Sequence, residues 1–115
     1  MPLVWGTFQG PRVAARRALQ KLGADIRDAR RRRSLPAGIV ASRAFTTRPT
    51  LQKVEEGDPG VSIGIYAAVL NALGLLDGLA AVAEPANDAV GLTLAKERLP
   101  ARVRLRSRRK TRDGD

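Results

Sequence analysis

The 115-residue chain contains neither cysteine nor histidine. Without cysteine it can form neither a disulfide framework nor a thiolate metal site. Without histidine it lacks the usual general base and the commonest metal ligand. A catalytic site would need paired carboxylates, and the neighbours Glu55 and Glu56 would point in different directions on a helix. We therefore predict no enzyme activity, no catalytic residue, no metal site and no bound cofactor.

Aromatic residues and long apolar runs are also scarce. The aromatic side chains are those of Trp5, Phe8, Phe45 and Tyr66, so a core must consist mainly of Ala, Leu, Val and Ile. No apolar run approaches the roughly 18 residues that a membrane span requires. Residues 1–10 lack the charged start of a secretion signal. These features predict a cytoplasmic protein without a membrane partner.

Positive charge, by contrast, is abundant. The formal net charge is +10, with 21 basic and 11 acidic residues. Residues 98–112 hold eight of the basic side chains and no acidic one, so most of the excess lies near the C-terminus. Such a chain usually binds polyanions, although a basic tail suits a ribosomal or nucleoid protein equally well. The charge alone therefore predicts a polyanionic partner without saying which.

The N-terminal segment of the chain is rich in residues that disfavour helices, and a helical pattern of apolar residues begins only after it. Residues 1–12 include two prolines and two glycines and show no helical period, which predicts an N-terminal arm. From Val13 to Arg33, apolar residues recur every three to four positions and predict a long helix. Its predicted stripe consists of Leu19, Leu22, Ile26 and Ala29.

A second, short helix is predicted over residues 36–43. Ser34 is a suitable N-cap for it, and Ile39 and Val40 are expected to face inward. Gly38 lowers its helix propensity, so packing must supply much of its stability. Residues 44–46 then form a predicted break.

Two more helices have clear beginnings and ends. Thr47 is placed to cap a third helix, which Gly57 ends. Ser62 is placed to cap a fourth, predicted over residues 63–73, with Gly74 as its C-terminal glycine. Two short helices joined by a three-residue turn, behind a longer helix, are the arrangement of a helix-turn-helix.

Three further segments complete the predicted chain. A fifth helix is expected over residues 77–83 and a sixth from Asn87 or Asp88 to Leu99. Residues 103–106 alternate with period two, which fits a short strand or a disordered basic extension equally well. The sequence therefore predicts an all-α fold of about five to six helices, with a possible short C-terminal strand.

The segment Ala41-Ser42-Arg43-Ala44-Phe45-Thr46-Thr47-Arg48-Pro49-Thr50-Leu51-Gln52-Lys53-Val54-Glu55-Glu56-Gly57 resembles the lambda-repressor-like, XRE-type DNA-binding domain. The match extends through the preceding helix, with its Arg27-x-x-Arg30, and the following one, and covers roughly half of the chain. Residues 56–70 are similar to antitoxin regulators of the HipB type. On this basis the predicted parts are an arm over 1–12, a helix-turn-helix domain over 13–84, a C-terminal helix over 85–101 and a basic tail over 102–115.

The resemblance implies a function and a set of partners. Regulators of the HipB type pair with a kinase-like toxin and repress their own operon as dimers, which implies a homodimer on double-stranded operator DNA. A nucleoid-associated, autorepressing antitoxin is therefore expected. The resemblance further implies a partly buried ion pair between Arg30 and Glu55. It also places Phe45 where the family usually has a glycine with positive φ, a costly position for a bulky residue unless the turn is rebuilt or Phe45 gains packing.

The third helix has side chains suited to a major groove. Arg48 can form a bidentate contact with guanine, and Pro49 and Thr50 can contact a thymine methyl group. Lys53 can reach a base or a phosphate, and Thr47 can donate to a phosphate beside the free amides of the helix N-terminus. The full set of predicted DNA-binding residues is Thr47, Arg48, Pro49, Thr50, Gln52, Lys53, Arg43 and Arg33.

Two other functions are compatible with the same sequence. The chain could be a stand-alone XRE-type regulator without a toxin, or a general nucleic-acid binder that acts through its basic tail. In the second case the exposed residues of the third helix would have no special role, and residues 102–115 would supply the affinity.

Overall fold

The structure is a computed structural model that describes the backbone of residues 2–98 and the side chains of residues 12–98. Over these residues it is all-α, as predicted, and contains no strand. The predicted strand at 103–106 and the basic tail lie outside the described residues. The helices are α1 (Pro2–Arg32), α2 (Ala37–Arg43), α3 (Arg48–Glu55), α4 (Ile63–Ala72), α5 (Leu76–Ala80) and α6 (Ala89–Arg98), with a 3-10 turn at Pro85–Asn87. None of these helices is both long enough and apolar enough to span a bilayer.

Helix α1 begins at Pro2, so the prediction of a non-helical arm over residues 1–12 was wrong for the backbone. Proline is well tolerated in the first turn of a helix, where its missing N–H would have no partner. Glycine and proline further along lower the propensity of this segment. Extending a helix that has already formed requires no new nucleation, however, and adds about one hydrogen bond per residue.

The chain divides into two compact units, one ending at Leu79 and the other beginning at Ala80. In the first unit, helices α1 to α4 enclose one core. The buried apolar side chains come from all four helices and from the residue after each of α2 and α4: Ile26, Ala29, Val40, Ala41, Ala44, Leu51, Val54, Tyr66, Val69, Leu70 and Leu73. Ile26 and Ala29 are thus buried as predicted, but Ile39, predicted to face inward, is 44% exposed. Its neighbour Val40 is fully buried instead, because consecutive helical residues point about 100° apart.

Four helices end in the same hydrogen-bonding motif. After α1, α2, α3 and α4, one residue adopts a positive φ: Ser34 (53°), Phe45 (55°), Gly57 (76°) and Gly74 (77°). In each case its amide and the next amide donate back to carbonyls in the last turn, which defines a Schellman motif. Ser34 therefore closes α1 and is not the predicted N-cap of α2. Pro36 occupies that N-cap position, with no side-chain cap.

The start of α4 is fixed by polar contacts. Ser62 caps the helix as predicted, because its Oγ accepts a hydrogen bond of 3.2 Å from the amide of Ile65. One turn into the helix, the Tyr66 hydroxyl donates to the backbone carbonyl of Asp58 over 2.8 Å. Burial raises the pKa of Tyr66 above its usual value, and the nearby negative charge of Asp58 adds to this shift. Tyr66 thus ties the loop before α4 to the core.

The second unit is small and contains α6. The predicted start of α6 is confirmed, because the Asp88 carboxylate caps the helix by accepting a hydrogen bond of 3.1 Å from the amide of Gly91. The fifth helix is shorter than expected: α5 ends at Ala80, ahead of the predicted residue 83. The apolar side chains of Val90 and Leu94 in α6 are both exposed.

Helix α1 and the end of α3 approach each other closely at Gly23. A Cβ added there would lie 2.5 Å from the carbonyl oxygen of Val54 and 2.7 Å from that of Glu55. These neighbours are backbone atoms, so they cannot move away as the end of a flexible side chain would. The crossing of α1 over α3 therefore depends on a glycine at this position.

We expect Gly23→Ala to lower the free energy of unfolding by about 1–3 kcal/mol, because the two helices must separate to admit the methyl group. Gly78→Ala is the matched control, since nothing lies within 4 Å of a Cβ at that position. Alanine there should be neutral or stabilising by up to about 1 kcal/mol, in line with helix propensity. Urea denaturation of both variants measures the difference, and equal stabilities would contradict the close approach.

Candidate nucleic-acid interface

The inner side of α3 is attached to α1 by a buried carboxylate. The Glu55 side chain is only 5% exposed, and Arg30, 14% exposed, contacts both of its oxygens. Arg30 Nε donates to Oε2 over 2.7 Å and Nη2 donates to Oε1 over 3.1 Å. The ion pair predicted between these residues is therefore present, with bidentate geometry. The hydrogen bonds to Glu55 raise the pKa of Arg30 above its usual value.

Two further contacts extend this ion pair into a network. Arg30 Nη1 donates to the carbonyl of Leu35 over 3.1 Å, which connects the segment between α1 and α2 to the same guanidinium. Arg27 Nε donates to Glu55 Oε1 over 3.3 Å, and its side chain is 37% exposed. The sequence prediction paired Glu55 with Arg30 alone. The three-residue spacing of Arg27 and Arg30, which puts both on one face of α1, was the signal for the second arginine.

The turn between α2 and α3 keeps the positive φ that the resemblance implied. Phe45 has φ of 55°, and its amide and that of Thr46 donate to Ser42 and Ala41 over 3.1 and 2.9 Å. Of the two predicted alternatives, a rebuilt turn is therefore wrong. The expected gain in packing is absent as well, because the Phe45 side chain is 97% exposed. Phe45 is thus both strained and exposed to solvent.

The first turn of α3 is organised by Thr47. Its Oγ1 accepts a hydrogen bond of 3.3 Å from the amide of Thr50, as an N-cap should, and donates to Thr50 Oγ1 over 3.0 Å. Pro49 has no N–H, so of the first three helical amides only that of Arg48 is left as a candidate phosphate donor. A phosphate contact by the Thr47 hydroxyl, which the sequence suggested, would have to replace its bond to Thr50.

The outer side of α3 carries most of the other predicted residues. Leu51 and Val54 are buried, so Arg48, Pro49, Gln52 and Lys53 are exposed around the rest of the helix. The aliphatic part of the Arg48 side chain lies beside α2. A Cβ added to Gly38 of that helix would be 3.7 Å from Arg48 Cδ. Thr50 is half-buried between the two sides.

Two other predicted residues already donate hydrogen bonds within the protein, and a third lies on α2. Gln52 Nε2 donates to Glu56 Oε2 over 3.3 Å, one turn further along α3. Arg33 Nη1 donates to the carbonyl of Ala29 over 2.9 Å, so its guanidinium caps the C-terminus of α1. Arg43 is exposed in the last turn of α2. The structure therefore does not group Arg33 with the exposed residues of α3.

No protein-family model matches the chain, and neither do any curated protein sequences or solved structures. Over residues 2–98 the geometry defines an all-α protein in which two short helices, joined by the four residues 44–47, are held against a longer one. The narrower XRE and HipB assignments stay predictions from the resemblance. Within residues 2–98, no three acidic side chains are grouped as metal ligands.

We expect Glu55→Gln to lower the free energy of unfolding by about 3–5 kcal/mol, because it leaves the charge of Arg30 buried without its partner. Lys21 and Asp25 provide the control, since they form an exposed ion pair of 2.7 Å on α1. Asp25→Asn should change stability little, because water already solvates both charges. Chemical denaturation of the two variants tests this, and similar losses in both would contradict a structural role for Glu55.

Phe45→Gly should raise the free energy of unfolding by about 1 kcal/mol, because glycine adopts a positive φ without strain and the exposed ring contributes almost no packing. Phe45→Ala is the control, since it removes the ring but keeps the Cβ that causes the strain. Only the glycine variant is expected to gain stability in thermal denaturation. An equal gain in both variants would mean that removal of the exposed ring, and not relief of backbone strain, raises the stability.

Proposed function

We propose that this protein is a sequence-specific DNA-binding regulator of the lambda-repressor-like helix-turn-helix class. The observation that carries the proposal is the division of α3 into two sides. Leu51, Val54 and Glu55 fix one side to the rest of the unit, while Arg48, Pro49 and Lys53 are exposed on the other. A helix that is rigidly held by one side and exposes cations on the other is suited to enter a major groove.

The exposed side chains have distinct roles in this proposal. Arg48 offers a planar pair of donors to O6 and N7 of guanine, and Pro49 provides an apolar contact for a thymine methyl group. Lys53 lies further along α3 and contacts a base or phosphate. Thr47 acts mainly by capping the helix, so its contribution is to hold the first turn in place.

One such helix reads only a few base pairs. A homodimer on a palindrome, with half-sites about one helical turn (34–36 Å) apart, is the usual solution and is part of the proposal. Autorepression and pairing with a kinase-like toxin rest on the sequence resemblance alone. A neighbouring gene for such a toxin would support the antitoxin role, and an isolated gene would favour a stand-alone regulator.

The test is footprinting and affinity measurement on the DNA upstream of the gene. Arg48→Ala should weaken binding by about 1–3 kcal/mol and relax specificity at one base pair. Arg17→Ala, which removes an equal charge from the exposed surface of α1, should leave the base preference unchanged. Equal effects of the two variants would argue against base recognition by α3.

Deletion of residues 102–115 separates this proposal from general nucleic-acid binding through the tail. We expect the shortened chain to keep its footprint while the salt dependence of binding becomes shallower, by about 0.9 in the log–log slope for each phosphate that the tail had neutralised. A general binder would cease to bind on deletion and be insensitive to Arg48→Ala. That pair of results would overturn sequence-specific binding and favour general nucleic-acid binding through the tail.

A further inference from the structure

A cleft of about 350 Å³ lies between α1, α2 and α3, next to the exposed side of α3. Four arginines line it, namely Arg27, Arg30 and Arg31 of α1 and Arg48 of α3. Its one acidic lining residue is Glu55, so the cleft has an excess of three positive charges. Its volume lies in the range typical of small-molecule sites.

The arginines differ in how many of their donors are already used. Arg30 directs Nε and Nη2 to Glu55 and Nη1 to the carbonyl of Leu35, so its role is structural. Arg27 uses only Nε, over 3.3 Å, which leaves both of its Nη groups for another acceptor. Among residues 12–98, Arg31 and Arg48 form no ion pair. Most of the hydrogen-bonding capacity of three guanidinium groups is therefore available at the cleft.

This arrangement favours one chemical class of ligand. Both Glu55 oxygens accept hydrogen bonds from arginine, so the carboxylate is neutralised and does not repel an anion. Planar guanidinium forks match the oxygens of phosphate groups. We propose that this cleft binds a phosphate group through Arg27, Arg31 and Arg48.

The phosphate has two possible sources, a DNA backbone or a free phosphorylated small molecule. The first rests on the proposed function and makes the cleft an anchor beside the recognition helix. The second is independent of it. In the second case a free phosphate compound bound through Arg48 would compete for the side chain that is proposed to read a base.

Isothermal titration of the full chain with inorganic pyrophosphate, at constant ionic strength, tests the site directly. Arg31→Gln should weaken binding by about tenfold, because it removes charge-assisted hydrogen bonds. Arg32→Gln is the matched control, since Arg32 is exposed in the same turn of α1, carries the same charge and does not line the cleft. Arg31 is exposed in the last turn of α1, so its replacement leaves the core and the Glu55 network intact.

Equal weakening in the two variants would mean non-specific attraction, an adventitious ion only, and would overturn the proposal. So would undetectable binding of pyrophosphate by the wild-type chain.

DNA titrations with the same variants identify the source of the phosphate. If Arg31→Gln also weakens DNA binding uniformly across sequences, and pyrophosphate competes with DNA, the cleft holds a backbone phosphate. If DNA affinity is unchanged while pyrophosphate affinity falls, the ligand is a small molecule. Failure of the wild-type chain to bind any DNA specifically would refute the proposed function, yet the Arg31-dependent binding of pyrophosphate would still stand.

Discussion

The buried carboxylate of Glu55 is the interaction on which the first unit depends. It lies at the end of α3 and receives hydrogen bonds from two arginines of α1, one of which also holds the carbonyl of Leu35 before α2. Three segments are therefore positioned by one group of charges. Because such a charge is costly to bury without its partners, a displacement of α3 that separated Glu55 from its arginines would be strongly unfavourable. Gly23, where backbone meets backbone, makes that orientation sterically possible.

Helix ends determine the rest of the geometry. The same Schellman motif closes four successive helices, and glycine occupies the left-handed position in two of them. In the turn between α2 and α3 that position belongs to Phe45, whose side chain gains nothing from burial. The flanking hydrogen bonds and the packing of Val40 and Leu51 hold the backbone there against the strain. The backbone conformation at Phe45 is therefore set by the packing of α2 against α3, and not by the preference of phenylalanine for a negative φ.

The positive charge of the first unit is divided between structural and available groups. Arg30 and Arg33 direct their guanidinium groups to Glu55 and to the end of α1. Arg31, Arg48 and Lys53 remain exposed. Both proposals rest on this division: DNA is proposed to contact the exposed side of α3, and a phosphate group is proposed to bind in the cleft. They share Arg48, so that the function proposed for one can influence the other.

The sequence by itself determined the helical class, the caps at Thr47 and Ser62 and the break at residues 44–46. These follow from periodicity and from local hydrogen bonding, which act over a few residues. The pairing of Arg30 with Glu55 came from the family resemblance. Only the tertiary structure decided the rest. It turned Ile39 outward, made Ser34 the end of α1 and brought Arg27, Arg31 and Arg48 to one cleft. Such outcomes depend on which helices pack together, and residues from separate helices meet only after the chain has folded.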